Sequence, residues 1–441
     1  MKQSDKRGVS LGTVVMLLFT ACVLIAYALL LPAITGNQDI RLDAAQLAVA
    51  IDESFSQLAA STEEFLTQQS ASEKQKTMPC YLPAKASATP EPAPATPPPK
   101  LRFSFCATGS ILLNNKVQHA LTVDDAYRFD ILTDQLAGKM KADLSIATLE
   151  NTVINSTKLS NLNMPAQLLP ALRSTGINAL SLSHPNALNN GVSGLQETAK
   201  AMKDARLLPY GMNTSYSSVS SKLMLNGVKV ALLSYQDSLS AAGIKQTTED
   251  ERSAAYREPD QEVIAADIAQ AKASGANVIV VSLCWGKTGS ATPTDDQRAL
   301  AQSIADAGAD MIIGMHSGVL QPVQVLTANR GDQKYHPVLC AYSLGNLMTY
   351  DREKRVNLAS ILLKTDVVFD TSTGCIAFEQ MEYTPTYAWR GKVDDKTRYR
   401  ILLNDGVTYP DFVDKDQKGV MSRCFTLVND VMADTGIPMS K

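Results

Sequence analysis

Residues 277–314, NVIVVSLCWGKTGSATPTDDQRALAQSIADAGADMIIG, contain two apolar runs separated by a helical pattern. The runs at 277–283 and 310–314 are short and rich in Val and Ile, as is typical of strands buried on both faces. Between them, residues 294–307 place apolar side chains at helical spacing. A strand, a helix and a second strand in this order predict one β-α-β unit of a parallel sheet.

The same alternation continues on both sides of this stretch and predicts an α/β domain over residues 101–384. The other predicted strands are 101–108, 143–148, 178–183, 229–235, 337–344 and 358–369. The other helical patterns are 124–139, 165–175, 191–205 and 259–274. Residues 385–441 contain little motif content, and we expect this C-terminal extension to pack on the sheet as terminal helices.

Composition limits the function classes. The chain has 441 residues with 45% hydrophobic and 19% charged residues, which excludes a disordered or polytopic membrane protein. Its formal net charge of −3 provides no global basic field, so we expect no nucleic-acid partner. Seven cysteines without any CxxC spacing fit neither a disulfide scaffold nor a zinc ribbon.

The N-terminal segment is typical of a membrane anchor. Residues 9–34 carry no charge and exceed the roughly 20 residues that a membrane-spanning helix needs. Because Lys2, Lys6 and Arg7 precede this run, the positive-inside rule puts residues 1–8 in the cytoplasm. A cleaved signal peptide is the alternative, but its apolar region is usually only about 7–15 residues long. The sequence therefore predicts a single-pass cell-membrane protein whose main domain is extracytoplasmic.

Two spacer segments follow the anchor. Residues 35–76 show helical periodicity and predict a stalk, either a single helix or a short coiled coil that dimerises the protein. Residues 77–100 form a linker that includes eight of the chain's 20 prolines, a composition that favours extended polyproline II. At about 3.1 Å per residue the proline-containing part at 79–99 spans roughly 60 Å.

Polar motifs begin where the predicted strands end, which is the edge at which open α/β sheets place their sites. They are Thr108-Gly109-Ser110, Leu149-Glu150-Asn151, Ser183-His184-Pro185-Asn186, Cys284-Trp285-Gly286, Gly314-Met315-His316-Ser317-Gly318 and Ser343-Leu344-Gly345-Asn346. We call these loops the rim.

Six segments resemble the bacterial capsule-synthesis CapA family, the poly-gamma-glutamate assembly proteins. In chain order they are TLEN at 148–151, ALNNG at 187–191, WG at 285–286, ADAGADMIIG at 305–314, VLQ at 319–321 and YSLGN at 342–346. The resemblance implies a metallophosphoesterase-like layered α/β sandwich. It also implies an anionic surface polymer and membrane-embedded polymer synthase components as partners.

The chain departs from the family pattern at ligand-type positions. The family's Asp of Gly-Asp is Ser110, two of its histidines are Asn186 and Cys284, and its Gly-His-His-Pro-His motif reads Gly314 to Gly318. The retained residues supply one carboxylate and one imidazole, fewer than the three or four protein ligands of a zinc-type site. We therefore expect no cofactor, although a divalent metal belongs to the hydrolase alternative.

The predicted site has Glu150 and His316 as candidate catalytic residues. Around them we place Ser110, Asn151, His184, Asn186, Cys284, Trp285 and Asn346 as pocket residues. Glu150 and Asn151 are equally consistent with loop-bridging roles, since such side chains satisfy backbone groups in turns.

Two function classes remain. The first is an anchored protein that supports synthesis, export or anchoring of the polymer, with metal catalysis reduced or absent. The second is a hydrolase of phosphoester or amide bonds with a rearranged metal set of Glu150, His184, Cys284 and His316. A Cys284–His316 nucleophile pair is a further variant of the second class.

Overall fold

Two mixed β-sheets form the centre of the computed structural model, which describes residues 100–154, 161–332 and 334–440. The predicted N-terminus, anchor and stalk, and the linker up to residue 99, lie outside these residues. Among the described helices, none is both long and apolar enough to cross a membrane.

The strands are numbered in chain order. They are β1 (Lys100–Leu112), β2 (Thr122–Val123), β3 (Ala126–Tyr127), β4 (Leu144–Leu149), β5 (Thr152–Val153), β6 (Asn163–Met164), β7 (Ala179–Ser181), β8 (Leu208–Tyr210), β9 (Ser220–Leu225), β10 (Val228–Gln236), β11 (Val278–Cys284), β12 (Met311–Met315), β13 (Val323–Ala328), β14 (His336–Ala341), β15 (Asn346–Thr349), β16 (Ala359–Asp370), β17 (Ile376–Val393) and β18 (Lys396–Leu403).

The α-helices are numbered in the same way. They are α1 (Asn115–Ala120), α2 (Asp130–Thr133), α3 (Leu168–Ser174), α4 (Gly191–Asp204), α5 (Ala241–Gln246), α6 (Glu249–Ala255), α7 (Gln261–Ala273), α8 (Asp295–Ala307) and α9 (Lys415–Met432). Two 3-10 helices lie at Asp134–Leu136 and Arg355–Leu358.

Sheet 1 has the order β18-β17-β16-β1-β4-β7-β8, with β15 also paired to β1. In this sheet β1, β4, β7 and β8 run parallel, whereas β16, β17 and β18 are added antiparallel. Sheet 2 has the order β13-β14-β12-β11-β10-β9, and its four central strands are parallel. The parallel strands of each sheet therefore end at a common edge, which is the requirement for a shared rim.

The sheets pack face to face with helices outside, giving four layers. Along β1, Phe103, Phe105 and Ala107 point into the core between the sheets, whereas Cys106 points to the helices over sheet 1. This follows from the alternation of side chains along a strand. The outer core of sheet 2 is built with α7 and α8. The predicted mixed α/β class is confirmed.

Two sequence-based predictions were wrong in detail. The helix predicted at 124–139 is a hairpin of β2 and β3 followed by α2 and a 3-10 turn. Asp124 and Asp125 occupy positive φ at the hairpin turn, a conformation that Asp tolerates better than most residues and that a helix does not allow.

The boundary drawn between residues 384 and 385 falls inside β17, and the first part of the C-terminal extension is strand rather than helix. The physical reason is the burial of alternating aromatic side chains there, such as Tyr387 and Trp389, which suits a pleated surface. Only α9 meets the expectation of a terminal helix, and it packs on β16 and β17 with Met421 and Val428 buried.

Candidate functional site

The rim forms where sheet 1 meets sheet 2. The Thr148 hydroxyl of β4 contacts the Met315 sulfur of β12, which joins the two sheets next to the predicted site. Ser110 of β1 lies opposite Thr148 of β4 on one side and Asn346 of β15 on the other. The backbones at Ser110 and Gly345 are hydrogen-bonded to each other, since the Ser110 amide donates to the Gly345 carbonyl at 3.0 Å.

Glu150 is the rim's central carboxyl group. Its side chain accepts a hydrogen bond from the Ser110 hydroxyl, and it lies close enough to His316 for their charges to interact. Burial raises the pKa of Glu150 above its usual range, and Ser110 and His316 offset this effect only in part. Relative to an exposed glutamate, Glu150 is therefore shifted toward its protonated form.

His316 follows β12 with a strained backbone. Its φ of 94° is rare for a residue with a side chain, and such strain is concentrated at functional sites. The loop that follows His316 is fixed by two hydrogen bonds. The Ser317 hydroxyl donates to Val319 O at 2.7 Å, and the Gly318 carbonyl accepts from Asn346 Nδ2 at 2.7 Å. These bonds fix the half-buried His316 at the rim.

Cys284 ends β11 and is buried. Burial raises the pKa of its thiol well above 9.0, and the negative charges of Glu150 and Asp237 raise it further. The thiolate, which is both the nucleophile and the metal-binding form, is therefore disfavoured. This electrostatic setting argues against the Cys284–His316 nucleophile pair.

Three predicted pocket residues have side chains bonded to the backbone. Asn151 Oδ1 accepts from Leu113 N at 2.9 Å, and its Nδ2 donates to Leu113 O at 2.9 Å and to Leu162 O at 2.7 Å. Trp285 Nε1 donates to Tyr342 O at 3.0 Å. Asn346 Nδ2 also donates to Asn357 O at 3.0 Å. These bonds tie rim loops to one another, so the three residues position the rim.

His184 and Asn186 lie in the loop after β7. Asn186 Oδ1 accepts from Asn189 Nδ2 at 3.4 Å, a bond within its own turn, and no described contact links it to Glu150. His184 is 2% exposed, and its Nδ1 has no hydrogen-bond partner among the described residues. Burial lowers the pKa of His184 from 6.5 to about 3, so the ring is neutral at pH 7.

The buried His184 should make the fold sensitive to acid. The unfolded chain protonates this ring below its ordinary pKa of about 6.5, whereas the folded chain does so only near pH 3. The contribution of the neutral His184 ring to the free energy of unfolding is therefore complete above pH 6.5 and is lost as the pH falls toward 3. Between pH 7 and pH 4.5 we expect the free energy of unfolding of wild type to fall by about 2 to 3 kcal/mol more than that of a His184→Met variant. Urea unfolding at pH 7 and pH 4.5 measures the difference.

The matched control for this prediction is His119→Met, at an exposed histidine, which should keep the wild-type loss. Equal acid sensitivity of wild type and His184→Met would contradict the buried, neutral state of His184.

The rim side chains do not fit the divalent metal that a metallophosphoesterase-like fold implies. Within 100–154, 161–332 and 334–440, no group of three His, Cys, Asp or Glu side chains lies close enough together to hold a metal ion. The Cys284 thiol is also in a poor form for binding, because burial disfavours the thiolate that coordinates a metal.

The sequence reasoning missed Asp237. Its amide donates to Cys284 O at 3.0 Å, and its charge acts on the Cys284 thiol. Asp237 directly follows β10, so the same strand-end rule that selected the other rim residues would have selected it.

The comparisons with known proteins agree with the rim motifs. The family model described as bacterial capsule synthesis protein PGA_cap matches residues 104–351. The capsule biosynthesis protein CapA of Bacillus anthracis is 27% identical over 261 residues, covering 56% of this chain and 60% of that protein. The PGA biosynthesis protein CapA of Bacillus subtilis (strain 168) is 28% identical over 221 residues, covering 49% of this chain and 53% of that protein. The chain thus spans less than two thirds of either relative's length.

Solved structures with some likeness include the NAD nucleotidase NadN of Haemophilus influenzae, with a TM-score of 0.41, 10% identity, and coverage of 75% of this chain and 63% of that one. Another is the calcineurin-like phosphoesterase YfkN of Bacillus subtilis, with a TM-score of 0.36, 12% identity, and coverage of 75% and 98%. Likenesses this weak carry no information about activity. The family model, in contrast, covers more than half of the chain and confirms the resemblance seen in the rim motifs. The chain belongs to the family of bacterial capsule synthesis proteins.

Proposed function

We propose that this chain is a membrane-anchored, extracytoplasmic protein that supports synthesis, export or anchoring of an anionic surface polymer, with little or no metal catalysis. Its membership of the capsule synthesis family supports the role in polymer assembly. The four-layer arrangement of the described residues is consistent with a metallophosphoesterase-like fold that has kept its loops and lost its metal ligands.

One observation carries the proposal: the rim loops are preserved while the described residues contain no cluster of three metal-ligating side chains. Asn151 and Asn346 still bond the loops together, as a functional rim would require. Burial favours the uncharged forms of Cys284 and His184 and raises the pKa of Glu150. A rim with hydroxyl, amide and carboxyl groups is suited to hydrogen-bonding a substrate, but without a set of metal ligands it is poorly suited to activating water on a metal.

The anchor and partners complete the proposal. Residues 9–34 hold the protein in the cell membrane with the N-terminus in the cytoplasm, and the stalk and linker carry the domain away from the bilayer. Membrane-embedded polymer synthase components are the expected protein partners, and the stalk at 35–76 offers a segment for dimerisation.

The alternative is hydrolysis of phosphoester or amide bonds in a surface polymer. The closeness of Glu150 to His316 and the strained φ of His316 favour it, because both are common at catalytic centres. Metal content separates the two functions.

Deleting the gene in the source bacterium should strongly reduce surface polymer, measured as cell-bound anionic polymer after washing. The full chain should restore it. A version in which a cleavable secretion signal replaces residues 1–34 should restore much less, because the domain is then no longer held beside the membrane. Wild-type polymer in the deletion strain would contradict the role in assembly. Full restoration by the released domain would contradict the need for an anchor.

A further inference from the structure

A second candidate site, none of whose lining residues belongs to the rim motifs, lies around the hairpin of β17 and β18. A cleft of about 600 Å³ lies between this hairpin and α1, and a cleft of about 510 Å³ lies between the hairpin and the start of α9. The two adjoin, since both are lined by Arg390 and Thr397. We call them together the basic cleft.

The basic cleft concentrates positive charge. Its lining includes one carboxylate, Asp414, and six Lys and Arg side chains: Lys116, Arg352, Arg390, Lys392, Lys396 and Arg398. Asp414 is already engaged as the N-cap of α9, where it accepts from Gln417 N at 2.8 Å. The chain as a whole has a net charge of −3, so this excess is local.

These cations lack acidic partners. No carboxylate among the described residues forms an ion pair with any of the six. Neighbouring arginines outside the cleft are paired, since Arg400 on β18 contacts Asp134 and Arg128 contacts Asp130. Unpaired cations such as Lys222 and Lys229 also occur elsewhere among the described residues, so the distinguishing feature of the cleft is that six of them line it beside a single carboxylate.

Arg352 is repelled by a neighbouring cation of the cleft. Its pKa is lowered by burial, and the like charge of nearby Arg390 contributes to the shift. Its guanidinium donates to Ala388 O at 2.8 Å, which holds it in place without neutralising it. A bound anion would relieve the repulsion and satisfy the remaining donors, because guanidinium groups bind carboxylate and phosphate oxygens in pairs.

We infer that the basic cleft binds an extended polyanion, the acidic polymer of the proposed function. The inference rests on that proposed function for its ligand class. Arg390 and Lys392 lie two residues apart on one face of β17, opposite Tyr399 and Thr397 of β18. Residues two apart on a strand are separated by about 6.6 Å, so a chain with repeated charges can contact both cations at once.

A polymer fits the basic cleft better than an anionic membrane does. The exposed large apolar side chains of the described residues do not line it: Tyr216, Met224, Ile244, Val263, Val325, Tyr335, Tyr350, Val407 and Met439. A membrane-binding surface would be expected to present apolar groups beside its cations.

The test is a Lys392→Glu/Lys396→Glu variant of the full chain in detergent. Both lysines are exposed and make no described hydrogen bond, so the variant should melt like wild type. The matched control is Lys222→Glu/Lys229→Glu on sheet 2, also at exposed positions and with the same charge change. Binding is measured with poly-gamma-glutamate, polyphosphate and neutral dextran, and with phosphatidylglycerol vesicles.

We expect wild type and the control to bind at least one of the two anionic polymers and not dextran. The cleft variant should bind that polymer at least tenfold more weakly, and high salt should weaken binding by wild type. Comparison of binding to poly-gamma-glutamate with binding to polyphosphate identifies whether the basic cleft prefers carboxylate or phosphate groups.

Equal polymer binding by the cleft variant and the control would overturn the inference, as would no binding of either polymer. Cleft-dependent binding to vesicles without polymer binding would also overturn it, in favour of a lipid surface. These outcomes are independent of polymer loss on gene deletion, so failure of the cleft and failure of the proposed function can be told apart.

Discussion

Gly109→Ala is expected to prevent the chain from reaching its native fold. A Cβ at residue 109 would lie 2.1 Å from Gly345 O and 2.6 Å from Gly345 C. These are backbone atoms, so no side chain can rotate away to make room. We expect a loss of at least about 3 kcal/mol, at the upper end for overpacked sites. Urea unfolding followed by circular dichroism, with solubility as a first indication, measures the effect.

The close approach matters for function because it positions Ser110. The next residue along β1 is Ser110, whose amide donates to Gly345 O, so the two strand ends are held together directly beside Glu150. Separating the backbones at Gly109 would therefore displace the rim as well as destabilise the sheet.

Gly419→Ala is the matched control for this prediction. Gly419 lies inside α9, and a Cβ there would contact only Arg423 Nη1, at 3.7 Å. The same chemical change should stabilise the protein by about 0.5 to 1 kcal/mol, because alanine favours a helix more than glycine does. If Gly109→Ala has the same urea midpoint of unfolding as wild type, then β1 and the loop that contains Gly345 do not approach so closely.

The central strands could be predicted because their signal is local. The run at 277–283 became β11 (Val278–Cys284) and the run at 310–314 became β12 (Met311–Met315). Strands buried on both faces need continuous apolar residues, and few other elements of this length have them. The hairpin at 122–127 was missed because its turn depends on positive φ at two aspartates, which apolar periodicity does not report.

The composition of the rim could be predicted, but the role of each side chain could not. The strand-end rule selected Asn151, yet its bonds go to Leu113, which lies 38 positions earlier in the chain. Trp285 likewise bonds to Tyr342, 57 positions later. Whether a polar side chain faces a ligand or a distant backbone group is decided by tertiary packing, which a single sequence does not specify.

The basic cleft was invisible to sequence reasoning for a related reason. Its cations come from α1, the segment around Arg352 and the β17–β18 hairpin, which are separated by up to several hundred residues. Net charge averages over the chain and conceals such a cluster. Part of the hairpin was also assigned to a helical extension, which would have placed these side chains differently.

The purified full chain is expected to contain well below one divalent metal per molecule. Ser110, Asn186, Cys284 and Gly318 occupy positions where the resembled family has ligand-type side chains, and the described residues contain no cluster of three donors. A structural zinc site supplies about 10 to 16 kcal/mol from its full ligand set, so the loss of several ligands should reduce affinity greatly. Elemental analysis measures the metal, and melting with added Zn²⁺ or Mn²⁺ measures the affinity.

Added metal should change the melting temperature little. A ligand present at its dissociation constant stabilises the folded state by only about 0.4 kcal/mol. For a domain of this size that corresponds to a shift of about 1 °C or less. His316→Ala and Glu150→Gln should leave the metal content unchanged, since neither side chain belongs to a complete ligand set. The hydrolase alternative requires the opposite result. One metal per chain, lost in His316→Ala and accompanied by metal-dependent hydrolysis of a phosphoester or of poly-gamma-glutamate, would replace the binding function with a catalytic one.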